Sequence, residues 1–263
     1  MATVRADGLP LAYDRAGAGP LLVLLHGAGD DARAWTPQLD ALADVFTVVA
    51  WDEPGTGRSG DLPAAFTLAD YAHCLAALVR SLRLGPAHVA GLSWGGTVAL
   101  EFYRHHPDLV RTLVLADTYA GWKGSLPTEE VAARVAGVRR MLDAPPTGSP
   151  AIAVPGLFAG APPAPYVPLL DAMAAAARPD TLRAQLALMA EADQRDLLPT
   201  VSVPALLLWG EQDVRSPLTV ARQFQAAIPE AELVVVPGAG HLSNLERPED
   251  FNRAVRDFCR RHS

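Results

Sequence analysis

The sequence predicts an α/β fold, a mostly parallel central sheet with helices on both faces and a helical insertion before its last strands. Three observations carry this expectation. Strand-like and helix-like segments alternate from Leu21 to Ala116, the pattern of parallel strands joined by crossover helices. The alternation stops between about residues 119 and 198, where only helical patterns appear. It resumes at Ala205, so the helices interrupt a sheet instead of following one.

Taken in order, Leu21–Leu25 is an unbroken apolar run, as expected of a strand buried on both faces. Asp30 and Asp31 suit a helix start, and a helical stretch follows from about Trp35 to Ala43. Phe46–Trp51 is the next strand, closed by the turn Pro54-Gly55-Thr56-Gly57. Leu68, Tyr71, Leu75, Leu78, Val79 and Leu82 recur at helical spacing. His88–Leu92 reads as a strand, Gly96–His105 as a helix stopped by Pro107, and Val110–Ala116 as another strand. Helices are expected over Glu129–Leu142, Leu169–Ala177 and Thr181–Ala192, with a Pro-, Gly- and Ala-rich loop or broken helix over 144–168. Ala205–Trp209 and Leu233–Val236 then give two strands, and Leu218–Ala227 and Glu249–Arg261 two helices. The expected organisation is a core of residues 1–118 and 199–263 under a helical cap of residues 119–198.

Half of the 263 residues are apolar and 19% are charged, a globular balance. The net charge of −7 and the lack of a Lys/Arg cluster argue against a nucleic-acid partner. Lys123 is the only lysine. The first residues carry no apolar signal core, and Leu21–Leu25 is far too short to span a bilayer, so a cytoplasmic protein without a membrane partner is expected. Cys74 and Cys259 both fall in expected helices and fit buried thiols in a reducing compartment. The histidines are not grouped at ligand spacing, and there is no phosphate loop or dinucleotide fingerprint, so neither metal nor cofactor is expected.

The chemistry centres on Gly91-Leu92-Ser93-Trp94-Gly95, set between an expected strand and an expected helix. A strand that turns sharply into a helix holds a serine in strained backbone with its oxygen lifted above the sheet. Serine is a poor nucleophile unless an imidazole takes its proton and a carboxylate holds that imidazole in the right tautomer. His241 lies in the glycine-rich loop Pro237-Gly238-Ala239-Gly240-His241-Leu242, just after a strand. Asp213 follows the strand Ala205–Trp209, while Asp117 and Glu211 are rival acids near strand ends.

On these residues the chain resembles the α/β-hydrolase superfamily over essentially its whole length. In size and layout it is similar to the small capped serine esterases and lactonases, including the 3-oxoadipate enol-lactonase group. The resemblance implies an α/β-hydrolase fold, the order Ser93, Asp213, His241, and an acid that some relatives instead carry at the position of Asp117. It also implies an oxyanion hole from the backbone N–H groups of Ala28, in the loop His26-Gly27-Ala28-Gly29, and of Trp94. His26 is expected to hold that loop, and Asp52-Glu53-Pro54-Gly55-Thr56-Gly57-Arg58-Ser59 to be an architectural turn.

A serine in the elbow disfavours dehalogenase and epoxide-hydrolase chemistry, which resembling families run from an aspartate. Trp94 is shared with proline iminopeptidases, but their oxyanion loop carries a proline near the position of Gly29. An aminopeptidase would also need carboxylates facing Ser93, for which Glu129, Glu130 and Glu191 are available. The expected activity is hydrolysis of a small carboxylic ester or lactone through an acyl-enzyme, in a pocket that includes Phe158 and Tyr166. Acyl-homoserine lactone or enol-lactone hydrolysis, carbon–carbon bond hydrolysis, a proline-type aminopeptidase, peroxide-dependent acyl chemistry and a non-catalytic binding protein are the alternatives. Bulky side chains at Ala159 or Ala161 are expected to alter acyl-chain preference.

Overall fold

The five residues of the strand Leu21–Leu25 are all buried, and their side chains divide between the two faces of the sheet. Leu21, Val23 and Leu25 join one apolar cluster and Leu22 and Leu24 the other, as the twofold repeat of a strand requires. The computed structural model describes residues 2–143 and 154–263 and builds outward from this strand.

In chain order the elements are β1 (Ala2–Ala6), β2 (Leu9–Ala16), β3 (Leu21–Leu25), α1 (Thr36–Leu42), β4 (Thr47–Trp51), α2 (Leu68–Leu82), β5 (Ala87–Leu92), α3 (Trp94–His105) and β6 (Val110–Ala116). Then come α4 (Trp122–Ser125), α5 (Thr128–Asp143), α6 (Val167–Ala176), α7 (Pro179–Glu191), β7 (Ala205–Gly210), α8 (Leu218–Ala227), β8 (Glu232–Val236), α9 (Ser243–Glu246) and α10 (Pro248–Arg261). The sheet order is β1-β2-β4-β3-β5-β6-β7-β8. From β4 to β8 every neighbouring pair is parallel, while β1 and β2 pair antiparallel.

The hairpin β1–β2 was not expected from the pattern of the first residues. Its turn is Asp7-Gly8, with φ of +47° and +86°, and Ala6 pairs with Leu9. That two-residue Asp-Gly turn is the local signal for a hairpin. The exposed alternate positions of β1 mark an edge strand, which explains why no apolar run announces it.

Helices α2, α3 and α8 cover one face with Tyr71, Leu75, Phe102 and Phe224. Helices α1 and α10 cover the other with Leu42, Phe251, Val255 and Phe258. Cys74 and Cys259 are buried in α2 and α10, and burial pushes both thiols up to about 12. Between β6 and β7 the described residues form helices and connecting loops, with no strand. Part of the expected Pro-rich loop, 144–153, lies outside the described residues. Among the described residues no helix is long and apolar enough to cross a membrane.

Strand β3 leads to β4 on one side and has β5 on the other. At such a reversal of strand order the loops leaving the carboxyl ends diverge and open a crevice. The loops that leave β3 and β5 there are residues 26–29 and the turn at Ser93.

Candidate active site

Ser93 joins β5 directly to α3 with φ +54° and ψ −118°, a conformation that a residue with a side chain adopts at a price in strain. The turn closes only because both flanking positions lack a side chain. A Cβ on Gly91 would lie 2.3 Å from the Gly95 carbonyl oxygen, and one on Gly95 would lie 2.1 Å from that of Leu25. The Ser93 N–H donates to Ala116 O at 2.9 Å, and Thr118 Oγ1 donates to Ser93 O at 2.5 Å, so β6 braces the turn.

Three of the expected site residues come together here. Ser93 Oγ lies 2.9 Å from His241 Nε2, and His241 Nδ1 lies 2.8 Å from Asp213 Oδ2. The other carboxylate oxygen of Asp213 accepts the N–H groups of Arg215 and Ser216 at 2.8 and 2.9 Å. His241 and Asp213 are buried, at 2% and 4% exposure, whereas Ser93 remains partly open. A carboxylate held by two N–H groups, an imidazole and a hydroxyl, aligned in that order, can relay a proton from the hydroxyl to the imidazole.

Asp117 is also buried, and its carboxyl is hydrogen-bonded to residues other than His241. Its carboxyl accepts the Gly210 N–H at 2.7 Å and the Ser243 hydroxyl at 2.5 Å, tying β6 to the end of β7 and to α9. Burial, then the nearby charge of Asp213, hold it well above the usual carboxylate range.

On the other side of Ser93, Ala28 stands in the loop after β3 and Trp94 is the first residue of α3. A first helical residue has no intrahelical acceptor for its N–H. His26 donates from Nδ1 to Gly27 O at 2.9 Å and accepts the Glu53 N–H on Nε2 at 3.3 Å, so it does hold this loop. Burial lowers its pKa, and Nε2 accepts a hydrogen bond as only a neutral imidazole can. Asp52 accepts the Ala32 N–H at 2.8 Å and the Arg58 N–H and Nε at 2.9 and 2.6 Å. These contacts fit an architectural turn.

Two side chains of this region were not expected. Glu53 is fully buried and accepts the Trp94 indole N–H on both oxygens, at 3.0 and 2.9 Å. Gln185, fully buried on α7, accepts the Gly29 N–H at 3.0 Å and donates through Nε2 to Glu53. Burial, opposed by the Trp94 bond, raises the Glu53 pKa well above the ordinary value. Glu53 stands among other polar residues of its turn, which do not single it out, and nothing local marks Gln185, which lies 132 residues away.

Two small clefts flank the loop after β3. One is lined by Gly27, Asp30, Leu92, Leu170, Met173 and Leu242, among others. The second lies between Gly29, Thr56, Met173, Arg178 and Thr181. Asp30 borders both, and burial followed by the charge of Asp31 pushes it up to about 7. Phe158 and Tyr166 are half-buried against the same apolar cluster as Leu170 and Met173, outside the walls of both clefts. The segment around Phe158 rests on the histidine loop: Leu242 donates to Leu157 O at 3.0 Å, and Glu246 accepts the N–H groups of Ala159 and Gly240 at 2.8 and 2.6 Å. The carboxylates considered for an amine site lie elsewhere. Glu130 pairs with Arg134, Glu129 is exposed, and Glu191 faces Lys123 at 84% side-chain exposure.

A profile of the Alpha/beta hydrolase family matches residues 22–254. The chain belongs to that family. RutD of Pseudomonas savastanoi pv. phaseolicola, a protein named for carbamate hydrolysis, is 31% identical over 249 residues, covering 91% of this chain and 93% of its own. A thermophilic esterase from Thermogutta terrifontis superposes with a TM-score of 0.85 at 31% identity, over 99% of this chain and 97% of that one. The enol-lactonase of Burkholderia xenovorans LB400 gives 0.81 at 25% identity, over 98% of this chain and all of that one. The protein is thus an α/β hydrolase with relatives named for ester, lactone and carbamate bonds.

Proposed function

We propose that this α/β hydrolase cleaves small carboxylic esters or lactones through an acyl-enzyme on Ser93. The observation that carries the reading is the unbroken hydrogen-bond chain Ser93–His241–Asp213 at 2.9 and 2.8 Å. Ser93 Oγ attacks the carbonyl carbon as His241 Nε2 takes its proton. The N–H groups of Ala28 and Trp94 hold the negative oxygen of the tetrahedral intermediate. When the intermediate collapses, His241 returns the proton to the leaving alkoxide, and the acyl group stays on Ser93. Water then attacks the acyl carbon, gives its proton to His241 and releases the acid, and the proton goes back to Ser93. Asp213 keeps the imidazole in one tautomer and balances the imidazolium.

Residues 119–198 act in this reading as a cap that closes an apolar wall over Ser93 and limits water. A carbamate, the bond for which RutD is named, presents an acyl carbon with the same tetrahedral path and belongs in the same substrate screen. The test is a fluorophosphonate label followed by turnover of 4-nitrophenyl esters, lactones, carbamates and amino-acid amides. Labelling at Ser93 with ester or lactone turnover is the expected result. Labelling without either, or turnover that survives Ser93→Ala, overturns the reading.

A further inference from the structure

Both sides of the oxyanion hole are tied to one side chain of the helical insertion. Gln185 of α7 accepts the Gly29 N–H at 3.0 Å, next to Ala28. Its Nε2 donates to Glu53, and Glu53 accepts the indole N–H of Trp94. Tyr71 packs edge-on against the Trp94 ring, with centroids 5.3 Å apart. Glu53, Gln185 and Trp94 are fully buried, so water does not substitute for these bonds.

From this network we infer that Gln185 and Glu53 are positioning residues that set the separation and aim of the Ala28 and Trp94 N–H groups. The inference rests on the acyl-transfer reading above. Neither side chain reaches the reacting atoms; each acts through a neighbour of a donor. Oxyanion stabilisation depends on donors fixed where charge develops, and a displacement of about 1 Å costs on the order of 100-fold in rate. A polar side chain from the insertion is well suited to fix them, because docking of the insertion and completion of the hole then become one event. Removing the bond therefore lowers the rate of the chemical step, whereas a purely packing role would lower stability alone.

The chemistry of the pair offers a strict test. Glu53→Gln sets an amide N–H₂ against the Gln185 N–H₂. If Gln185 turns over to accept, it presents its N–H₂ to the Gly29 N–H. Gln185→Glu sets carboxyl against carboxyl. The double variant Glu53→Gln/Gln185→Glu restores all three bonds: Gly29 N–H to the new carboxylate, the new amide N–H₂ to the same carboxylate, and the Trp94 indole to the new amide oxygen.

The experiment measures kcat and KM for 4-nitrophenyl butyrate, and the rate at which a fluorophosphonate labels Ser93, in the full chain. Each single variant is expected to lose about 10- to 100-fold in kcat and in labelling rate with KM within about 2-fold, and the double variant to return to within about 3-fold of wild type. Single variants that keep wild-type kcat and labelling rate overturn the inference, as does a folded double variant as slow as the singles. Where a single variant fails to fold, the double variant decides: folded and fast supports the pair, folded and slow overturns it. Labelling reads the hole without a correct ester. A labelled wild type that turns over none of the esters therefore removes only the substrate reading, and a wild type that escapes labelling removes both.

Discussion

Asp213 and Asp117 divide two tasks at the carboxyl ends of β7 and β6: Asp213 holds His241 at 2.8 Å, and Asp117 holds Gly210, the strand end from which the Asp213 loop departs. The two carboxyls are near enough for the charge of Asp213 to raise the Asp117 pKa. Asp213→Asn is expected to lower kcat by about 10²–10⁴, since the imidazole loses its tautomeric anchor. Asp117→Asn keeps an acceptor for Gly210 and is expected to cost less than about 10-fold. Kinetics of the two purified variants check this, and a reversed ranking moves the acid to β6.

Ser93→Ala and His241→Ala are each expected to remove on the order of 10⁴–10⁶ in rate, and the double variant to lose little more, because the two act as one unit. Circular dichroism should show both folded. Multiplicative losses in the double variant would argue against a shared proton.

The parts of this site that can be read from the chain are those whose signals are local. The elbow around Ser93 is written in two glycines whose added side chains would meet backbone, and His241 in a glycine loop after a strand. Strand β3 is buried on both faces and appears as an unbroken apolar run, and β5 and β6 are mostly apolar for the same reason. The hairpin β1–β2 lies at the sheet edge, alternates in exposure, and shows only in its Asp7-Gly8 turn. Choosing Asp213 over Asp117 requires the path of the loop, since both follow parallel strands. Gln185 meets Gly29 across 156 residues, a distance over which no periodicity reports.

Gly95→Ala should damage both stability and rate. Its Cβ would lie 2.1 Å from Leu25 O and 2.8 Å from His26 O, backbone that also leads into the loop after β3. No flexible side chain can yield, so α3 or the loop must shift, at about 1–3 kcal/mol or more and on the order of 100-fold in kcat. Gly137→Ala is the control. Among the described residues its Cβ meets Arg140 alone, at 3.9 Å, in the interior of α5. It is expected to gain about 0.5–1 kcal/mol and leave kcat unchanged. Thermal melts and ester kinetics on both variants test the contrast, and a fully active Gly95→Ala contradicts the account of the elbow.

Buried imidazoles should make stability depend on pH. His88 is held between Thr112 Oγ1 at 2.9 Å and Ser263 Oγ at 3.1 Å. Burial, then the charges of Arg111 and His262, lower its pKa from 6.5 to about 4. The unfolded chain therefore binds more protons between about pH 6.5 and 4, and the stability from neutral His88 is lost as pH falls through that window. The loss reaches up to about 3 kcal/mol at pH 4. Asp30, raised to about 7, acts with the opposite sign, so the informative quantity is the difference between two proteins. His88→Gln cannot titrate, and denaturant melts from pH 7 to 4 should show its stability falling less steeply than that of wild type. Parallel curves would mean that His88 protonates in the folded state without penalty.

The wall that sets acyl-chain length should be Met173. It is buried on α6 and borders both clefts beside the loop after β3, one of which Leu170 and Leu92 also line. Ala161, by contrast, is exposed, although the segment that carries it rests on the histidine loop through Leu157 and Ala159. Met173→Ala removes three heavy atoms from the wall and opens space for a longer chain. One methylene in an apolar pocket is worth about 1–3 kcal/mol, so the ratio of kcat/KM for hexanoate over acetate esters should rise by about 10-fold or more. Met173→Trp fills the same space and should lower the ratio by a similar factor. Ala161→Trp should move it little, because its side chain points to solvent and the contacts beneath it are made by backbone. Both Met173 variants truncate or overfill a buried site, so their melting temperatures are measured alongside the kinetics. A ratio that stays constant in Met173→Ala and Met173→Trp but moves in Ala161→Trp would place the selective wall in the Pro-rich segment above His241.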